Sequence, residues 1–183
     1  MEKFAVIDTE TNWENQIMSI GTVIADAETF RVLDLKYHII TPEYLVGGMY
    51  SCALPLKIKL QPTYCSKEQA MRDLLSWFNQ HGICSIFAYN ATFDHNHMPE
   101  LSQLNWYDIM RLAAYRQYNR KIPCTADCCS TGRLKRNYGV EPILRLLSST
   151  PTYHETHNAL HDALDELEIM RLLEHRLEDY IPL

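Results

Sequence analysis

The sequence predicts an α/β fold: a mixed β-sheet, built from an antiparallel three-strand meander plus parallel strands, flanked by α-helices. Three observations carry this. The first 41 residues hold three strand-like segments joined by short links; a helix with clear start and stop signals then leads to a fourth apolar strand; and helical periods dominate the remainder of the chain. With 183 residues, 46% apolar and 22% charged, the chain reads as one domain over 1–183, with irregular segments at 42–65 and 119–138.

In chain order, residues 4–10 form a continuous apolar run that ends in acids, as expected of a strand buried on both faces. Residues 17–25 repeat the pattern. In the third segment Leu33, Leu35, Tyr37 and Ile39 alternate with Asp34, Lys36 and His38, the period of a strand with one wet face. Pro42, Gly47, Gly48, Pro55 and Pro62 then interrupt every period, giving the irregular excursion. Ser66 and Gln69 make a capping box, Ala70, Met71, Leu74, Leu75 and Phe78 the apolar stripe of a helix, and Gly82 its stop. Residues 83–89 are the next buried strand, and a helical crossover before it implies parallel pairing with an earlier strand. A short helix runs to about Met98, where Pro99 interrupts it; further helices are expected over 106–118, 140–149 and 159–177.

Composition excludes several classes. No apolar run approaches the roughly 20 residues that span a bilayer, and the N-terminal stretch lacks a signal-peptide pattern, so no membrane partner and a cytoplasmic location are expected. The six cysteines are irregularly spaced and read as reduced thiols; Cys124, Cys128 and Cys129 form either an incomplete zinc set or free thiols. A net charge of −6 at first argues against nucleic acid, but residues 111–136 hold seven of the 17 basic residues and a single acid, Asp127. That basic stretch is either a solvated loop or a phosphate-binding surface beside an acidic body.

Three groups of residues carry chemistry. Asp8 and Glu10, at spacing i, i+2 on a strand end, leave the same face, so that both carboxylates address one point where a hard divalent cation would relieve their repulsion. Exposed acids at strand ends are the competing interpretation. Asp94 follows a buried strand in the first turn of a helix, as a metal ligand or as a simple complement to the helix dipole, while Asn90 is expected to tie the turn through its amide. Asp162 lies early in the last long helix, with His157 before it and His154 and His161 as rivals; His161 and Asp165 also suit a surface i, i+4 pair.

In FAVIDTET, NATFD and HNALHDA the chain resembles the three motifs of the DEDDh branch of the DnaQ-like 3′ to 5′ exonucleases, in order and across residues 4–163. YDIMRLA, residues 107–113, is similar to the helix that commonly comes after the second motif. Where that family often carries Gly soon after the first motif, this chain reads Thr11, Asn12, Trp13. The resemblance implies a ribonuclease H-like sheet and selects His157 among the histidines. It also implies two Mg²⁺ or Mn²⁺ ions, with Asp8 bridging, Glu10 and Asp162 completing the nucleophile side, Asp94 helping on the leaving-group side, and His157 as general base. Single-stranded DNA or RNA 3′ ends are the expected partners. Thr11, Trp13 and Phe93 beside the motif acids are candidate contacts to the terminal nucleotides, and Arg133, Lys135 and Arg136 to the phosphates. Alternatives are an exoribonuclease restricted to short RNA, a nucleotide phosphatase, and a non-catalytic nucleic-acid-binding module on the same fold. The oligomeric state is open, a homodimer included.

Overall fold

A computed structural model describes residues 2–55 and 60–183; the part of the irregular segment at 56–59 lies outside the described residues. Strands β1 (Lys3–Thr11), β2 (Ile17–Asp26) and β3 (Val32–Ile40) form the expected antiparallel meander. A strand β4 (Thr63–Cys65) precedes helix α1 (Lys67–His81), which leads to β5 (Ser85–Ala88) and the short α2 (Thr92–His97). Then come β6 (Asn105–Asp108), α3 (Met110–Ala113), α4 (Val140–Ser148) and α5 (Ala159–Leu173). The sheet order is β4-β3-β2-β1-β5-β6, with β4, β5 and β6 paired parallel to their neighbours, so the sheet is mixed and flanked by helices as expected. Among the described residues no helix is long and apolar enough to cross a membrane.

Alternation along β1 sorts the core. Phe4 and Val6 face α4 and α5, while Ala5 and Ile7 face α1. Both sides are closed, which is why β1 and β2 read as unbroken apolar runs. The α1 signals are realised in detail: Ser66 accepts the Gln69 amide, Gln69 reciprocates, and Gly82 ends the helix at φ 69°.

Four expectations need correction. The helix expected over 106–118 is in fact strand β6 followed by one helical turn. Trp106 and Asp108 alternate inward beside β5, a period-two signal of only four residues that the longer apolar spacing of Ile109, Met110, Leu112 and Ala113 masked. β4 sits inside the segment taken as irregular; three mostly exposed edge residues leave no pattern to detect. β3 is wet on one face only in its first half, because Tyr37 and Ile39 meet the α5 side of the core and His38 meets Asp73 of α1. Helix α5 stops at Leu173, where Glu174 turns left-handed at φ 57°.

Candidate active site

The C-terminal end of β1 is where the predicted residues meet. Asp8 and Glu10 share the face of β1 turned to α5, and α5 brings Asp162 over them. This approach depends on Gly21, which pairs with Asp8 across β1 and β2: a Cβ there would lie 2.2 Å from the Ala159 carbonyl at the start of α5. Asn158 caps α5, accepting the amides of Leu160 and His161, and holds His157 just outside the helix at φ 53°. Ligand atoms of Glu10, His157 and Asp162 lie within 4.8 Å of one another. Among the described residues this is the only such group of His, Cys, Asp or Glu.

Asp94 reaches the same end from the other face of the sheet. Thr9, whose side chain points opposite to those of Asp8 and Glu10, donates its hydroxyl to Asp94 at 2.7 Å. The turn before α2 is held by Asn90, but through its backbone: it is left-handed at φ 61°, and its amide N–H donates to Asp108. The expected tie through the Asn90 side chain is therefore not what holds the turn; that side chain is exposed.

Electrostatics mark the site as unfinished by protein alone. Burial, then repulsion from Glu166, Asp94, Asp162 and Glu10, pushes Asp8 well above the usual carboxylate range. Burial and neighbouring acids push Glu10 up to about 8 and Asp162 up to about 9. Burial likewise raises Asp94 to about 7, against the Thr9 hydrogen bond that lowers it. One oxygen each of Asp8 and Asp162 is buried without a hydrogen-bond partner. These orphaned oxygens, and an all-oxygen donor set with one imidazole beside it, fit a hard divalent cation.

Two further acids were not anticipated. Glu166, one turn beyond Asp162 on α5, is 1% exposed, accepts the Tyr89 amide at 3.1 Å and is the foremost charge pressing on Asp8. The i, i+4 spacing to Asp162 was the available signal. Glu155 stands beside Glu10 and Asp162, its own carboxyl raised to about 7 by burial and by Asp165 and Glu141.

The rival histidines are engaged elsewhere. His154 is exposed beside Arg145 and Glu141, and His161 contacts Thr156. Asp165 accepts a hydrogen bond from the Tyr153 hydroxyl, and His161, four residues before it, acts on it only as a nearby charge without a direct ion pair.

Of the candidate substrate contacts, Thr11 ends β1 at a register shift, and Trp13 beyond it is 68% exposed. Phe93 is partly exposed and packs against His97. In the basic segment Arg133 lies over the Tyr138 ring at 4.9 Å, Lys135 is paired with Asp127 at 2.9 Å, and Arg136 is exposed. That segment borders the site, because the Tyr89 hydroxyl donates to the Tyr138 carbonyl while the Tyr89 amide binds Glu166. All six cysteines are free, and among the described residues Cys124, Cys128 and Cys129 join no cluster of three or more metal-ligating side chains.

No protein-family model and no curated protein sequence matches the chain. Solved structures do. The nuclease domain of 3′hExo, a DEDDh family member bound to rAMP, is 13% identical with a TM-score of 0.65, covering 99% of this chain and 96% of that one. Exonuclease X, in complex with 5′ overhanging duplex DNA, is 20% identical at a TM-score of 0.52, covering 92% and 90%. E. coli Exonuclease I, in complex with a dT13 oligonucleotide, is 14% identical at 0.58, covering 98% of this chain and 42% of that one. At these identities it is architecture that is shared, and the chain has the ribonuclease H-like fold of the DnaQ-like, DEDDh-type 3′ exonucleases.

Proposed function

We propose that the chain is a metal-dependent 3′ to 5′ exonuclease acting on single-stranded DNA or RNA, with residues 1–183 as a single catalytic domain. The observation that carries this is the convergence of Asp8, Glu10, Asp94, Asp162 and His157, from three separate parts of the sequence, on one strand end where buried carboxylate oxygens lack protein partners. Asp8, Glu10, Asp94 and Asp162 would hold two Mg²⁺ or Mn²⁺ ions. Bound there, such ions would supply Lewis acidity, lowering the pKa of a water and offsetting charge on the phosphate and the departing 3′ oxygen. His157 takes the proton of the attacking water: burial lowers its pKa, so the imidazole is neutral and able to accept at pH 7. Thr9 keeps the Asp94 carboxylate aimed at the site. Trp13 and Phe93 offer faces for unpaired bases, and Arg133, Lys135 and Arg136 offer charge along the phosphate path.

The test is digestion of end-labelled single-stranded DNA and RNA of matched sequence with Mg²⁺, Mn²⁺ or EDTA. A ladder shortening from the 3′ end, abolished by EDTA and reduced by at least about 10³-fold in Asp8→Ala, is expected. Full activity in Asp8→Ala, or activity in EDTA, would refute the assignment. Joint neutralisation of Arg133, Lys135 and Arg136 should raise KM and flatten its salt dependence.

A further inference from the structure

The general base of a hydrolytic site needs a partner that fixes its ring, because the nitrogen that accepts the proton must point at the water. In this chain His38, His97, His154, His161 and His175 each make a hydrogen bond at a ring nitrogen. Among the described residues no hydrogen bond reaches the ring of His157, although it sits on a left-handed backbone just outside α5, where a side chain has little local support. What it has is Tyr50. The two rings stack face to face, with centroids 3.9 Å apart and planes 17° from parallel.

Tyr50 is itself braced. It opens the 3₁₀ turn Ser51–Ala53, and the carbonyls of Ala53 and Leu54 accept the side-chain amide of Asn158, the residue next to His157. The Tyr37 hydroxyl of β3 closes the same knot on Leu54 at 3.0 Å. On its other side the segment is seated against β1: Trp13 donates to the Gly47 carbonyl, and a Cβ at Gly48 would lie 2.6 Å from the Thr11 carbonyl. Burial and the carboxylates of Glu10, Glu155 and Asp162 push the Tyr50 phenol up, so the ring stays neutral.

We infer that Tyr50 is the positioning residue for His157, its ring covering one face of the imidazole so that the ring edge addresses Glu10 and Asp162. The stretch at 42–54 then serves as the bracket that holds the base in place. The inference rests on the reading of His157 as general base, and on a stacked geometry found in no other histidine among the described residues.

The test compares the wild type with Tyr50→Phe and Tyr50→Leu, both at a half-buried position. In Mg²⁺-containing protein, the His157 Hε1 resonance, assigned with His157→Gln, should lie upfield through the ring current of Tyr50. It should stay there in Tyr50→Phe and move downfield in Tyr50→Leu. In single-turnover digestion Tyr50→Leu should lose about 10- to 100-fold in kcat with KM nearly unchanged, and Tyr50→Phe should restore it. A Tyr50→Leu protein with wild-type kcat overturns this inference alone, as does one whose loss lies in KM or whose His157 resonance does not move. A wild type without nuclease activity overturns the proposed function and this inference with it.

Discussion

The two ends of the sheet treat charge in opposite ways. At the end bearing Asp8 and Glu10, carboxylates are packed together and buried, with oxygens left unpartnered. At the other end, between the β2–β3 turn, the start of β5 and the end of α5, there is a cleft of about 830 Å³ with Phe30, Phe87 and Tyr107 among its lining. Its two arginines are paired with acids: Arg171 binds Glu168 through two contacts at 2.6 Å, and Arg176 meets Glu178 at 2.5 Å. The acids and arginines of the roomier cleft are exposed to water, whereas Asp94, Asp162 and Glu166 at the crowded end are buried. Unpaired buried charge, which costs several kcal/mol per ion if left alone, marks the place where something else must bind.

This contrast can be broken at several points. Next to Asp8→Ala, the largest effect belongs to His157→Ala, expected to cost about 10² to 10⁴ in kcat without altering the fold, as measured by single-turnover cleavage and circular dichroism. Next is Gly21→Ala. The backbone of α5 must retreat from β2, so a loss of about 1 to 3 kcal/mol, or roughly 2 to 12 °C in Tm, should accompany a marked fall in activity.

The metal-free protein should reveal the acidic end through pH. Glu10 at about 8, Asp94 at about 7 and Asp162 at about 9 bind protons more tightly folded than unfolded. Stability is therefore lost as pH rises through that range, and the Tm in EDTA should fall steadily between about pH 5 and pH 9. Added Mg²⁺ or Mn²⁺ should restore it, most at the alkaline end; a flat profile would mean that burial and neighbouring acids do not raise these groups. Glu166→Gln, which keeps an acceptor for the Tyr89 amide, should raise the metal-free Tm at about pH 8 by a few degrees, at about 2 to 4 °C per kcal/mol. The smallest effect is expected at the opposite cleft, where Arg171→Ala should leave both the Tm and the cleavage rate unchanged within error.

Much of the site is legible in the sequence because its residues obey local rules. Alternation on a strand puts Asp8 and Glu10 on one face, and a helix start after an apolar strand puts Asp94 at a sheet end. A residue such as Glu166 evaded the sequence because an acid on a helix face is ordinarily solvated, and only the packing of α5 on β1 buries it. The short β6 was hidden by its length, and β4 by its exposure.

The sequence by itself determined the meander, the parallel crossover and the types of residue available for metal and base chemistry, because burial and hydrogen bonding impose periods of two and 3.6 residues along the chain. Tertiary structure decided the rest. It brought His157, the histidine the motif resemblance already selects, beside Glu10 and Asp162, set α5 against β2 through Gly21, and laid Tyr50 on the His157 ring. These are contacts between residues far apart in the chain, whose cause is packing in three dimensions, and no local pattern encodes them.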